Sequence, residues 1–94
     1  MKLIDGFGQL LSEAGDIVGA CEYHETWEGE QLVEGYLTCH GRREDYPRGV
    51  YRLRRPSGEE QPIRIEEYPA WVESDEMPSV TIAFTALVPQ VVRA

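Results

Sequence analysis

The chain lacks the cysteine density of a disulfide-stapled secreted domain, holding two cysteines in 94 residues, and this agrees with a reducing compartment. No apolar run approaches the length of a membrane span. The opening MKLIDGFGQL places Asp5, two glycines and Gln9 where a secretory signal needs an unbroken apolar stretch and a small-residue cleavage site. A cytoplasmic location is the expectation. A phosphate-binding loop is also missing, because Gly6-x-Gly8 has no third glycine, no lysine and no strand-to-helix setting. The four serines, at positions 12, 57, 74 and 79, fall at expected turns or strand ends with no histidine close in sequence. No catalytic residue, cofactor or metal is therefore assigned.

What remains is an ordinary globular composition, 41% hydrophobic and 28% charged, which excludes disordered and collagen-like classes. Residues 1–94 make one domain with a single modest core. The net charge of −8 is unevenly spread. Residues 1–41 carry Lys2 against eight acids, net −7; residues 42–64 carry seven arginines against four acids, net +3; residues 65–94 carry five acids against Arg93, net −4. Overall acidity disfavours nucleic acid and anionic lipid, while a local arginine stripe still suits an anionic partner.

Period-two alternation dominates the chain. From Ile17 the odd positions Gly19, Cys21, Tyr23 and Trp27 are apolar or small, and Glu25 is the one exception. Val33, Gly35, Leu37 and Cys39 continue the pattern after Glu28-Gly29-Glu30-Gln31, so the two runs form a hairpin. A second hairpin joins Val50–Arg54 to Ile63–Glu66 through Arg55-Pro56-Ser57-Gly58-Glu59, where proline suits the first corner of a type I turn and glycine the left-handed residue after it. A last strand, Ser79 to Val88, is rich in β-branched residues.

The N-terminal segment admits two readings. Leu3, Ile4, Phe7, Leu10, Leu11 and Ala14 fit a helical stripe, which would give an α+β fold with a helix at residues 2–14. Gly6 and Gly8 oppose it, each costing about 1 kcal/mol in a helix interior. Glycines flanking an aromatic fit a strand approached closely by another backbone. The expected fold is all-β: a small six-stranded antiparallel meander, barrel-like or folded into two packed sheets. Six strands leave no lumen, so any partner binds outside.

Cys21, His24, Cys39 and His40 resemble a zinc ligand set, and parity separates them. A three-residue loop Gly29–Gln31 places Cys21 opposite Cys39, Tyr23 opposite Leu37 and Trp27 opposite Val33, with both thiols on the inner face. The histidines are even-numbered and face outward, roughly 14 Å apart along the ladder. The thiols are expected reduced, in positions that also permit a cross-strand disulfide.

Two surfaces are left as binding candidates. The connection from Glu66 to Pro78 has no evident strand of its own and interleaves Tyr68, Trp71 and Met77 with acids including Glu73, Asp75 and Glu76. It is the expected site for another protein. The alternative is an arginine face of Arg52, Arg54 and Arg64, for nucleic acid or a phosphate ligand, although Glu60 opposite Arg54 and Glu66 near Arg64 offset those charges. Exposed edge strands also make a homodimer an expectation.

Overall fold

The alternating segments fold as six strands: β1 (Lys2–Ser12), β2 (Ile17–Glu28), β3 (Gln31–His40), β4 (Gly49–Arg54), β5 (Glu60–Val72) and β6 (Ser79–Ala86). The computed structural model describes residues 1–87, so the expected extension of the last strand to Val88 lies outside the described residues. The strands are antiparallel throughout and close into a barrel of order β1-β2-β3-β6-β5-β4, β4 returning to pair with β1. Of the two architectures open to the sequence, this is the barrel. No helix of the described residues is long and apolar enough to cross a membrane.

Residues 2–14 form no helix. On the inner face of β1, Gly6 meets the Tyr23 ring and Gly8 the carbonyl of Arg54, so both glycines sit where another group leaves no room for a side chain. Near the end of the strand the pairing slips, Leu10 facing Gly19 and Leu11 facing Ile17. The bulge at Val18 breaks the alternation, and both leucines are fully buried while Ile17 is exposed.

The first hairpin keeps the expected register over Cys21↔Cys39 and Tyr23↔Leu37, then shifts by one between Thr26 and Trp27. Trp27 consequently faces Leu32, not Val33. The cause is a tighter turn than the expected three-residue loop: the ladder runs on to Glu28↔Gln31, and Gly29 (φ 62°) supplies the left-handed corner. Val33 becomes the extra residue and points to solvent. In the second hairpin Arg54 pairs with Glu60 as expected, and Gly58 (φ 90°) occupies the left-handed position after the turn.

The segment from Glu66 to Pro78 is not one long connection. β5 continues through Val72, leaving only residues 73–78 as the turn into β6. Two register shifts, between Ile65 and Glu67 and between Glu67 and Ala70, absorb Pro69, which has no N–H to give to a ladder. The same shifts spoil the alternation that would have marked the strand in the sequence.

Leu10, Leu37, Leu53, Ile63, Ile65, Val80 and Ile82 fill the interior with essentially no solvent exposure. Because β4 lies beside β1 and not beside β3, residues 41–48 must cross one end of the barrel. Tyr46 from this crossing is buried and donates its hydroxyl to the His40 carbonyl at 2.5 Å. Burial, with the nearby Cys39 and Asp45, pushes its phenol up to about 12. Tyr68 in turn donates to the Tyr46 carbonyl at 2.5 Å, tying β5 to the crossing.

Candidate functional site

Cys21 and Cys39 face each other across β2 and β3, both buried and unbridged. A hydrogen bond to Cys21, together with burial, holds the Cys39 thiol far above the ordinary thiol range. His24 stands on the outer face, its Nδ1 2.9 Å from Asp5 Oδ1 and its Nε2 3.3 Å from Glu22 Oε1. Thiol and imidazole thus point to opposite sides of the same sheet. A thiolate is the form that alkylates, and burial of both thiols denies a reagent access to it here. Native protein at pH 7 is expected to react with iodoacetamide about 10³-fold or more slowly than unfolded protein, since access requires opening the fold. Intact mass after labelling in denaturant should show two modified cysteines. A mass short of two hydrogens, with no label taken up, would mean a disulfide instead.

Three of the four serines act in turns: Ser12 Oγ accepts from the Asp16 amide, Ser57 Oγ from Glu59, and Ser74 Oγ from both Glu76 and Met77. These are local side-chain bonds that fix loops.

On the arginine face, Glu60 sits between Arg52 at 3.5 Å and Arg54 at 3.2 Å. Arg54 also reaches Gln9 Oε1 at 3.5 Å. Arg64 is exposed and has no ion pair among the described residues. Glu66, its sequence neighbour, instead accepts from Thr85 Oγ1 at 3.2 Å.

The surface around Trp71 is built differently from a free loop. Trp71 pairs with Val80, a core residue, so its ring belongs to the inner face of the sheet just beyond the barrel's end. The crossing segment covers it only in part: the Arg43 guanidinium lies 4.0 Å from the ring centroid, and Trp71 remains 47% exposed. Next to it Val72 is exposed, and across the turn Met77 is 66% exposed. Glu73, Asp75 and Glu76 are exposed around them. Tyr68 is half-buried against the core with Arg48 5.8 Å from its ring. The structure therefore brings Trp71 and Tyr68 together with arginines of the crossing segment, a pairing that sequence distance hides.

The opposite end of the barrel holds the feature that sequence reasoning passed over. Glu25, on the inner parity of β2, is 2% exposed. It is gripped by Arg55 in a two-point contact, Nη1 to Oε1 at 2.6 Å and Nη2 to Oε2 at 2.9 Å. Arg55 also donates to Gln61 Oε1 at 2.5 Å and lies 5.0 Å from the Tyr23 ring centroid. The bond to Glu25 outweighs burial and raises the guanidinium's pKa further, so Arg55 keeps its charge in this contact. It forms part of an open cleft of about 460 Å³ lined by Ile4, Tyr23, Trp27, Arg55, Glu59 and Leu87 among others. The Trp27 indole nitrogen is buried and has no acceptor among the described residues. The signal for this site was the lone carboxylate at position 25 in an otherwise apolar parity.

No family model, curated protein or solved structure matches the chain.

Proposed function

We propose that this chain is a non-catalytic protein-interaction domain whose partner engages the barrel end around Tyr68, Trp71 and Met77, with Glu73, Asp75 and Glu76 at its rim. One observation carries the reading: a tryptophan on the inner parity of β5 is left half-exposed at the end of the barrel. A large exposed aromatic rimmed by charge is the kind of residue that anchors an interface. The packed core between the strands supports a mode of binding at the barrel's ends and surface.

Trp71→Ala should weaken partner capture at least about tenfold, the loss typical of an anchoring tryptophan, while the urea unfolding midpoint moves little. Undiminished capture by the folded variant would end this reading. Salt separates it from the nucleic-acid alternative through Arg52, Arg54 and Arg64. A phosphate-driven complex weakens steeply between 50 and about 200 mM salt, whereas a Trp-anchored one does not.

A further inference from the structure

The barrel closes along a short seam. β4 pairs with β1 only from Gln9 to Ser12, whereas β2 pairs with β1 from Lys2 onward. Residues Lys2 to Gly8 therefore have a ladder partner on one edge only among the described residues. The backbone N–H and C=O groups on the other edge are a template for a further strand.

Hollows lie on both sides of this edge. Toward the interior is the cleft of about 460 Å³ that Ile4, Tyr23 and Trp27 help to line. On the outer side a groove of about 320 Å³ runs between Phe7 and Pro56 of the β4–β5 turn. A sheet edge with pockets for alternate side chains on its two faces is the arrangement that captures extended peptides, main-chain bonds giving affinity and the pockets giving selectivity. Leu3 and Phe7, 74% and 72% exposed, put apolar surface beside the edge where a solitary edge strand would carry charge. The Trp27 side chain lines the same cleft and gives an inserted apolar side chain an aromatic wall.

Charge decides between occupants. β1, β2 and β3 with their turns carry Lys2 against eight carboxylates, of which Glu25 alone is neutralised by Arg55, and Glu59 stands at the cleft beside that pair. A second copy of the chain would set two such acidic sheets side by side, which is unfavourable. A basic segment is complementary.

We propose that β1 is a docking edge for an extended basic segment of another protein, which adds as a strand along Lys2–Gly8 and sets alternate apolar side chains into the cleft beside Ile4 and Trp27. Its lysines or arginines face the carboxylates of the β1–β2–β3 sheet. The site lies at the other end of the barrel from Trp71 and is independent of it.

The test uses the full 94-residue chain, isotope-labelled for NMR, and a blocked peptide of about ten residues alternating lysine with valine, long enough to span the edge. Binding should raise exchange protection of amides within Leu3–Gly8 about tenfold or more and move the Trp27 indole resonance while leaving that of Trp71 in place. Methylating alternate backbone nitrogens along one edge of the peptide should weaken binding at least about tenfold, whereas methylation along the other edge should not. Phe7→Ser should weaken binding severalfold. Trp71→Ala should bind the peptide as wild type does, which separates this site from the one proposed above.

The inference is overturned if the peptide produces no shift in this region at about millimolar concentration, or if both methylation patterns act alike, since the contact would then be charge alone. It is equally overturned if the Leu3–Gly8 amides become protected without peptide as protein concentration rises, because the edge would then pair with a second copy.

Discussion

Arg55→Ala should cost about 3–5 kcal/mol of folding stability, the range for removing one partner of a buried ion pair. Typical domains have only about 5–15 kcal/mol in total, so the variant should be partly unfolded on mild heating. The size follows from what is left behind. Glu25 has a side chain with no exposed surface, and Arg55 supplies both of its close contacts. Without the guanidinium the carboxylate stays buried among Tyr23 and the cleft walls with nothing to offset its desolvation. The converse change, Glu25→Ala, should cost less, because the Arg55 side chain retains 15% exposure and a flexible cation can turn its head to water. Replacing both groups together, as Glu25→Leu with Arg55→Met, should recover most of the loss, since a pair removed whole takes its desolvation cost with it. Urea unfolding of the wild type, both single variants and the double variant measures this cycle. Equal losses in the two single variants, or a double variant as unstable as Arg55→Ala, would contradict the account of Glu25 as a carboxylate that only Arg55 makes tolerable.

That ion pair also marks where the sequence was legible. Alternation is a local property, and Cys21, Tyr23, Leu37, Leu53 and Ile63 all took the inner face it assigned them. The expected pairings Cys21↔Cys39 and Arg54↔Glu60 followed from parity and turn length. The misreadings all came where the period of two is interrupted. The bulge at Val18 left Ile17, placed on the inner face by parity, exposed; that at Val33 moved Trp27 away from its expected neighbour, and two register shifts around Pro69 disguised the end of β5 as a loop. A bulge adds one residue without a strong compositional mark, so its location is set by the neighbouring strand and the turn geometry. Glu25 was visible as an anomaly but not as half of a pair. Its partner sits thirty positions later in a turn, and only the closed barrel brings the two together. The same holds for Arg43 over Trp71, where the crossing segment and the end of β5 meet because β4 pairs with β1.

Gly8→Ala should cost about 2–3 kcal/mol, near the upper end of ordinary overpacking, and should do so by opening the barrel at its weakest line. A Cβ at position 8 would lie 2.5 Å from the Arg54 carbonyl oxygen, a separation that non-bonded atoms do not tolerate. The obstructing atom is backbone, so no side-chain rotation relieves it, and β1 and β4 must move apart. The seam they share is only four residue pairs long, from Gln9↔Arg54 to Ser12↔Tyr51, and position 8 adjoins its first pair. Gly6→Ala makes an instructive comparison, because there the Cβ meets the hydroxyl end of the Tyr23 ring, which is side chain and has some freedom to move. Its loss should be smaller and should disturb the contact between Tyr23 and Arg55 rather than the seam. Hydrogen exchange distinguishes the two outcomes: Gly8→Ala should lower protection selectively at Gln9–Ser12 and Tyr51–Arg54, while the β2–β3 ladder around Cys21 and Cys39 keeps its own. If Gly8→Ala unfolds at the wild-type urea midpoint with its seam amides still protected, the close approach of β1 to β4 at Gly8 is not what closes this barrel.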